Sequence, residues 1–282
     1  MSLLLPDSNE FADVRAVVAE LVAQTHIDPD NLLLIGARCR DLLHRQLGHT
    51  TAVRGTDDVD IAVAVDSLAD YRAIVGTLKS TGSTEARFMV GDFAVDIMPF
   101  GAIENPKGSV SLNTRHDSLS VDAFHSIWKS APPLALGGTV AIRVPSVAGY
   151  AVLKAHAFAE RSKRFEYKDA EDIATALAWY AVSEVIIDEV YSSELGLAVL
   201  ETTDFDLQAA TAYLLGVHMH GQLSASEQEN LRRAWLESSD DLLTVSYGRH
   251  SGTVDARNSV DALRRAIVSK KPPYSTPQCW PL

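Results

Sequence analysis

One run of the sequence, VDIAVAV at residues 59–65, constrains the fold more than any other. Valine, isoleucine and alanine fill both its odd and its even positions, which is typical of a strand that is covered on two sides. The run therefore predicts a central strand of a sheet. Asp60 is its only charged residue, and a carboxylate within such a strand is costly unless it serves a purpose.

The segments around this strand predict a small mixed α/β unit. Helical spacing of apolar residues indicates helices, and short apolar runs that end at glycine or proline indicate strands. In chain order the expected elements are a helix over residues 7–24, a strand over 32–35, a helix over 37–47, the central strand, a helix over 67–78, and two strands over 87–90 and 93–98 that are joined by a tight turn at Gly91 and Asp92.

The second half of the chain differs, because most of its apolar patterns have helical spacing. We therefore expect an α/β (α+β) fold: a mixed sheet with flanking helices over residues 1–135, followed by a mainly helical domain over residues 136–282. The elements expected there are a strand over 139–144 and helices over about 145–164, 168–180, 207–220, 224–236 and 259–269.

The composition is that of a soluble globular protein, with 46% hydrophobic and 22% charged residues. No stretch approaches the roughly 18 consecutive apolar residues of a membrane-spanning helix. The N-terminus lacks the basic region of a secretory signal, so we expect a cytoplasmic protein with no membrane partner. Cys39 and Cys279 are too few and too far apart for a disulfide framework or a zinc cluster.

The formal net charge of −12 disfavours non-specific binding to nucleic acid, and double-stranded DNA is not expected as a partner. It suits a small anionic substrate held through divalent cations, because carboxylates bind such cations. Asp206 follows Asp204 in a second Asp-x-Asp, but it precedes a helix and is expected to be its N-cap. The histidines that lack other metal ligands nearby, and are expected on solvated surfaces, are His44, His49, His218 and His220.

Three aspartates are the main candidates for a functional site. Asp58 and Asp60 are two residues apart at the start of the central strand, so their side chains project to one face. Asp96 interrupts the otherwise apolar strand over 93–98, and a nearby strand is the natural place for it. Such carboxylates would repel each other unless a cation such as Mg²⁺ lay between them. The alternative is that all three are ordinary exposed residues at a strand entrance and a sheet edge.

Gly36 follows a buried strand and precedes a helix. Glycine at this junction lets a phosphate approach the backbone at a helix N-terminus, although an ordinary tight turn is the alternative. Arg38 and Arg40 would either contact phosphate or lie in solvent. Lys154 falls within a largely apolar helix stripe, and its ammonium either extends to solvent or points at a bound triphosphate.

Taken in order, the segments 35–38, 56–60 and 95–97 resemble the motifs of the polymerase-beta-type nucleotidyltransferase superfamily. That pattern is a hydrophobic residue, Gly, and then Gly or Ser, followed after a short helix by Asp-hydrophobic-Asp and by a third acid on a later strand. Ala37 departs from it, because the family has a second Gly or a Ser there. One phosphate contact is therefore missing, and the adjacent Arg38 would compensate for it.

The resemblance assigns roles to the three aspartates. It implies that Asp58 and Asp60 bind two Mg²⁺ ions, or Mn²⁺ in their place, together with the triphosphate. By the same resemblance Asp96 holds the catalytic metal and helps to deprotonate the acceptor hydroxyl.

Two later segments, from Lys154 to Arg161 and from Lys168 to Ile173, look like motifs of the AbiEii-type nucleotidyltransferases. That group includes toxins of abortive-infection and toxin–antitoxin systems, some of which transfer nucleotides to the acceptor ends of tRNA. The likeness implies that Lys154 binds nucleotide phosphate and that one of two aspartates orients a nearby Lys or Arg. The nucleotide-binding positions implied in all are Gly36, Ala37, Arg38, Arg40, Thr56, Lys154, Asp169 and Asp172.

The function expected from these residues is a Mg²⁺-dependent transfer of a nucleoside monophosphate from a nucleoside triphosphate to an acceptor. A tRNA end is one acceptor, as in a toxin with an antitoxin partner, and a local basic cluster at residues 161–168 favours it. An aminoglycoside-like small molecule or a protein hydroxyl is the alternative, and an acidic surface suits a cationic drug better. From another class, the chain could be a catalytically inactive homologue that binds nucleotide.

Overall fold

The structure is a computed structural model of the 282-residue chain. Within it the chain divides into two compact units, Met1–Ser146 and Val147–Leu282. The residues that the structure describes are 3–4, 10–51, 55, 58–81, 84–112, 118–137, 140–164, 166, 168–252 and 255–269.

The first unit contains an eight-stranded sheet and a separate two-stranded sheet. The elements expected from the sequence around residues 32–35, 59–65, 87–90 and 93–98 are confirmed as strands. The strands are β1 (Leu3–Leu4), β2 (Leu32–Ile35), β3 (Val59–Val65), β4 (Lys79–Ser80), β5 (Arg87–Val90), β6 (Phe93–Gly101), β7 (Ser109–Val110), β8 (Leu119–Ser120), β9 (Pro133–Gly137) and β10 (Val140–Arg143).

The large sheet is mixed, and its strands lie in the order β1-β9-β10-β2-β3-β6-β5-β4. β3 is central, as its sequence predicts: it pairs with β2 in antiparallel and with β6 in parallel orientation. The side chains of Val59, Ile61 and Val63 are buried. The helices that pack against this sheet are α1 (Ala12–Thr25), α2 (Gly36–Gln46), α3 (Leu68–Val75) and α4 (Phe124–Ser130).

Strands β9 and β10 extend the first sheet past residue 135, where the sequence analysis places the domain boundary. β10 runs parallel to β2 and antiparallel to β9. Arg143, its last residue, donates hydrogen bonds from Nε to the carbonyl of Asp30 at 3.0 Å and from Nη1 to that of Ala131 at 2.9 Å. These contacts hold the chain in the first unit up to Ser146.

The described residues of the second unit form helices joined by short turns, without a strand, which confirms a mainly helical C-terminal region. None of the helices in the described ranges combines the length and the apolar character needed to cross a lipid bilayer. The helices are α5 (Val147–Arg161), a short 3₁₀ helix (Ser162–Arg164), α6 (Lys168–Val182), α7 (Glu184–Ser192), α8 (Glu194–Thr202), α9 (Leu207–Gly221), α10 (Ala225–Leu236), α11 (Asp241–Ser251) and α12 (Ala256–Val268).

Short polar side chains set where three of these helices begin. Ser183 Oγ accepts a hydrogen bond from the backbone N–H of Ile186 at the start of α7. Ser193 Oγ accepts one from the backbone N–H of Gly196 at the start of α8. Asp206 Oδ1 accepts from the first two residues of α9 after Leu207, at 3.0 and 3.1 Å, so its expected role as an N-cap is confirmed. Each cap satisfies N–H groups that have no partner within the helix.

The expectation of solvated histidines is wrong for His44, His218 and His220, all of which are buried. His218 Nδ1 lies 3.1 Å from the hydroxyl of Tyr180, and its Nε2 lies 3.2 Å from Glu189 Oε1. Burial lowers the pKa of His44 and of His220. The partners of His218 and His220 come from residues distant in sequence, so local periodicity did not reveal them.

Candidate active site

Strand register brings two of the three candidate aspartates side by side. β3 and β6 are parallel, and Asp60 of β3 is paired directly with Asp96 of β6. Paired residues of neighbouring strands point to the same face of a sheet, so these two carboxylates share one side. Asp58 lies two residues before Asp60, which places its side chain on that side as well. The three carboxylates are therefore neighbours at one end of β3.

Arg87 of β5 bridges these carboxylates. Its Nη2 donates a short hydrogen bond to Asp58 Oδ1, and its Nη1 lies 3.6 Å from Asp96 Oδ2. The hydrogen bond to Asp58, with the charges of Asp96, Asp58 and Asp60, raises the pKa of Arg87 against a smaller opposing effect of burial. The guanidinium thus supplies the positive charge that three neighbouring acids require.

The sequence analysis did not identify Arg87 as part of the site, although a signal for it exists. Gly91 and Asp92 form a two-residue turn, and counting back from that turn pairs Val90 with Phe93 and Arg87 with Asp96. The predicted hairpin therefore already implied that an arginine faces the third acid. Its contact with Asp58 depends on the pairing of β6 with β3, which no local pattern shows.

Gly36, the first residue of α2, lies directly against Asp60. Its φ of +67° is a left-handed conformation that favours glycine. A Cβ atom at this position would lie 2.7 Å from Cβ of Asp60 and closer still to its carboxylate. Ile35, which precedes α2, gives the helix no side-chain cap. Because Asp60 touches Gly36, its carboxylate lies beside the positive end of the α2 dipole.

The two arginines of α2 that were expected at phosphate, Arg38 and Arg40, are both engaged by carboxylates. Arg38 forms an ion pair with Asp13 of α1, and its Nη1 lies 3.8 Å from Asp41 Oδ2. Arg40 donates from Nε and Nη2 to Asp41 Oδ1 at 3.0 and 2.7 Å, and only 3% of its side chain is exposed. The expected phosphate contact of Arg40 does not fit this buried position, whereas Arg38 keeps 22% of its side chain exposed.

The remaining predicted positions of the first unit are Ala37 and Thr56. Ala37 is the second residue of α2, next to Gly36, and its side chain is half-buried. Thr56 lies outside the described residues, as does its neighbour Asp57.

The predicted residues of the second unit form an ion cluster between α5 and α6. Lys154 Nζ lies 2.6 Å from Asp172 Oδ2 and 3.5 Å from Asp169 Oδ1, and Arg161 Nη1 lies 3.0 Å from Asp169 Oδ2. The side chains of Asp169 and Asp172 are 0% and 2% exposed. Both aspartates therefore contact a cation, and the cluster has the charge balance that burial demands.

The residues predicted to bind metal are Asp58, Asp60 and Asp96. Their carboxylate oxygens are suitable ligands for Mg²⁺. In the arrangement found, however, Arg87 contacts two of them, and within the described ranges no group of three or more His, Cys, Asp or Glu side chains is arranged to hold a metal ion. A divalent ion would therefore have to compete with the guanidinium of Arg87 for these carboxylates.

No protein-family model matches the chain, and no curated protein matches it. Among solved structures, the chain resembles the solution structure of the antibiotic-resistance factor ANT(2'')-Ia, with 16% sequence identity over 68% of this chain and 97% of that chain. The TM-score of 0.36 is too low to transfer a fold or a function from that protein to this one.

Proposed function

We propose that the first unit is the catalytic domain of a nucleotidyltransferase, which transfers a nucleoside monophosphate from a nucleoside triphosphate to an acceptor hydroxyl. The observation that carries the proposal is the placement of Asp58, Asp60 and Asp96 on one face of the sheet, beside Gly36 at the N-terminus of α2. This placement joins the motifs whose order along the chain resembles the nucleotidyltransferase superfamily.

The N-terminus of α2 is where we place the phosphates of the nucleotide. Asp60 fills the place that a side chain at Gly36 would take, so the phosphates would reach the other open N–H groups in the first turn of α2, where a helix favours negative charge. Ala37 contributes its backbone N–H but no hydroxyl. Arg38 is the nearest cation on the helix with an exposed part, and it would exchange Asp13 for phosphate.

Asp58, Asp60 and Asp96 would hold Mg²⁺, or Mn²⁺ in its place. When bound, such an ion neutralises the phosphates and stabilises the charge that develops during transfer. Arg87 would release Asp58 when the ion binds, and its guanidinium would then be free to contact phosphate.

The reaction forms a bond between the acceptor oxygen and the α-phosphorus and breaks the bond from that phosphorus to pyrophosphate. Asp96 would help to remove the proton from the acceptor hydroxyl as it attacks. The other residues act mainly by positioning and by charge, as in phosphoryl transfer generally.

For the acceptor, the contacts in the second unit favour a cationic small molecule, such as an aminoglycoside, over a tRNA end. In the basic cluster expected to contact RNA, Arg161 is paired with Asp169, and Lys163 Nζ lies 2.7 Å from Glu237 Oε2. These pairs reduce the positive charge available for a phosphate backbone. Transfer to tRNA by a toxin-type enzyme, with an antitoxin partner, remains the competing version of the proposal.

The test is transfer of label from each α-³²P nucleoside triphosphate, with Mg²⁺, to purified tRNA, to total RNA and to aminoglycosides. We expect Asp60→Asn and Asp96→Asn to lower the rate by at least about 100-fold, because each removes a charge from the reaction centre. Asp92→Asn, in the exposed turn between β5 and β6, is the matched control and should keep full activity.

Full activity in Asp60→Asn or Asp96→Asn would refute the assignment of the site. Label on tRNA alone would select the toxin version, and label on the aminoglycoside alone would eliminate it. Nucleotide binding by calorimetry without transfer to any acceptor would instead indicate the inactive homologue.

A further inference from the structure

The negative charge of this protein is concentrated in one part of the second unit. Residues 169–231 contain twelve Asp and Glu residues and no Lys or Arg, so this segment accounts for the whole formal net charge of −12. Every residue of the segment is described. The rest of the chain is therefore neutral on balance, although two of the twelve acids, Asp169 and Asp172, are buried against Lys154 and Arg161.

Five of the seven exposed acids of this segment lie on α7, α8 and the turn that follows α8, and the other two are Glu171 and Glu229. Within the part of the chain that the structure describes, none of the five forms an ion pair. No charge among the described residues therefore compensates these acids. These acids are Glu184, Asp188, Glu194, Glu201 and Asp204.

The same elements expose large apolar side chains. Among the described residues, Leu236 and Val245 are the two comparably exposed large apolar residues outside this region. We call α7, α8, Val182 and the turn at residues 203–206 the acidic apolar face. Its apolar residues, with their exposed fractions, are Val182 (61%), Val185 (65%), Tyr191 (54%), Leu197 (52%) and Phe205 (73%).

Acids and apolar residues alternate along the solvent side of each helix. On α8 the spacing of Glu194, Leu197 and Glu201 places all three on one side. On α7 the spacing of Asp188 and Tyr191 does the same. Leu197 is thus flanked by two carboxylates, and Tyr191 lies next to one. A partner complementary to this pattern needs apolar side chains flanked by Lys or Arg.

The two helices are held tightly together. Gly196 of α8 lies against the end of α7, where a Cβ atom would come within 2.5 Å of Cα of Val190 and 2.8 Å of the carbonyl carbon of Glu189. Only glycine allows this approach. The outer sides of α7 and α8 are therefore fixed relative to each other before any partner binds.

Phe205 is presented in an unusual way. It and Asp204 have φ values of +61° and +54°, a left-handed conformation that is strained for a residue with a Cβ atom. Hydrogen bonds from the backbone N–H of Phe205 to Leu200 at 2.9 Å and from that of Asp206 to Thr203 at 3.0 Å hold the turn in place. The most exposed large apolar side chain of the described chain thus stands on a constrained backbone.

We propose that the acidic apolar face is a docking surface for a basic amphipathic segment of a partner protein. The lysines or arginines of that segment meet the five exposed acids, and its apolar side chains pack on Phe205, Leu197 and Tyr191. A nucleic acid or an anionic membrane fits poorly, because its phosphates would face uncompensated carboxylates. This proposal does not depend on the proposed transferase activity.

The test uses a synthetic amphipathic peptide of lysine and leucine with its leucines on one face, and calorimetry with the full-length protein. We expect binding that weakens as salt is added. Phe205→Asn should weaken it about tenfold or more, because it removes the central aromatic contact while Asn tolerates the left-handed backbone. The double variant Glu194→Gln with Glu201→Gln should do the same, since it removes the flanking charges from α8.

Leu236→Gln, at an exposed apolar residue on α10, is the matched control and should bind as the parent does. A matched peptide with glutamate in place of lysine should not bind. Equal affinity of the parent and the face variants would overturn the proposal. The proposal would also be overturned if the face proved to bind a different partner, that is, if the face variants abolished binding of another probe. The probes to compare are single-stranded RNA, phosphatidylglycerol vesicles, a synthetic peptide of residues 270–282 and a second copy of the chain.

Discussion

The backbone of Gly36 and the side chain of Asp60 occupy touching positions, with no space for a Cβ atom between them. Gly36 opens α2, and Asp60 lies in the strand next to β2. The glycine expected to admit phosphate and the acid expected to bind metal therefore depend on each other sterically. A side chain added at position 36 would displace the carboxylate of Asp60.

Gly36→Ala should lower the free energy of unfolding by more than about 3 kcal/mol, because two effects destabilise the folded variant: the strain of alanine at a left-handed φ and its clash with Asp60. Gly48→Ala is the matched control. Gly48 also has a positive φ, +81°, but a Cβ atom there meets nothing within 4 Å. It should cost only about 1–2 kcal/mol. Urea denaturation of both variants measures the difference, and equal losses would contradict the contact.

The contact can be tested further by coupling. In a background of Asp60→Gly, where no side chain faces Gly36, the effect of Gly36→Ala on unfolding should shrink to that of Gly48→Ala. An undiminished effect would show that the strain at Gly36 has another source.

Arg87→Gln should change how the protein responds to Mg²⁺. Without the ion, the loss of stability should not exceed about 1 kcal/mol, because the ion pairs of Arg87 are partly exposed. With the ion, the variant should gain more in melting temperature than the parent, since no guanidinium competes for Asp58 and Asp96. Differential scanning fluorimetry over a Mg²⁺ titration measures this shift.

Arg72→Gln, on the exposed side of α3, is the control for the removal of an arginine and should respond as the parent does. Identical Mg²⁺ responses of Arg87→Gln and the parent would argue against an ion at these carboxylates.

Lys154→Met should lower the free energy of unfolding by about 3–5 kcal/mol, because it removes a cation from two buried carboxylates. Adding Asp172→Asn should restore most of that loss. Lys163→Met is the matched control: its pair with Glu237 is exposed, so it should cost less than about 1 kcal/mol. A loss in Lys154→Met no larger than in Lys163→Met would show that the cluster contributes little to folding.

His156 of α5 should make stability depend on pH. Burial lowers its pKa from 6.5 to about 4, against a smaller opposing effect of Glu227. The unfolded chain takes up a proton as the pH falls from 6.5 towards 4, while the folded protein does not, so stability declines through this window. The full effect is about 3 kcal/mol, and above pH 6.5 this group contributes no pH dependence.

Urea denaturation from pH 7 to pH 4 measures that decline. His156→Leu should flatten this decline, because it removes the titrating group. The substitution breaks no hydrogen bond of Nε2, since that atom has no partner among the described residues. His250→Gln, exposed at the end of α11, should leave the slope unchanged. The same slope in His156→Leu and the parent would assign the pH dependence to other groups.

Local patterns predicted the elements whose side chains repeat with a clear period. The hairpin of β5 and β6 shows this well, because a Gly91-Asp92 turn between two apolar runs leaves little choice of register. The short helices α7 and α8 were not identified. Their outward sides carry apolar residues such as Val185 and Leu197, which blur the division between a buried and a solvated side.

The ion pairs were less predictable than the strands. Lys154 was expected either to reach solvent or to contact nucleotide, and in the structure its ammonium lies against Asp172 and Asp169 of the next helix. Arg40 was expected at phosphate or in solvent, and it is buried against Asp41. A charged side chain selects its partner by distance and by burial, and neither quantity exists until the helices pack.

The amino-acid sequence alone determined that β3 is a central strand, that Asp58 and Asp60 share a side of it, and that Gly36 joins a strand to a helix. These are consequences of backbone geometry within a few residues. Only the tertiary structure decided that β6 lies next to β3, which sets Asp96 beside Asp60 and Arg87 across both Asp58 and Asp96. The order of strands follows from hydrogen bonds and burial between segments far apart in the chain, and these depend on the whole core rather than on any local pattern.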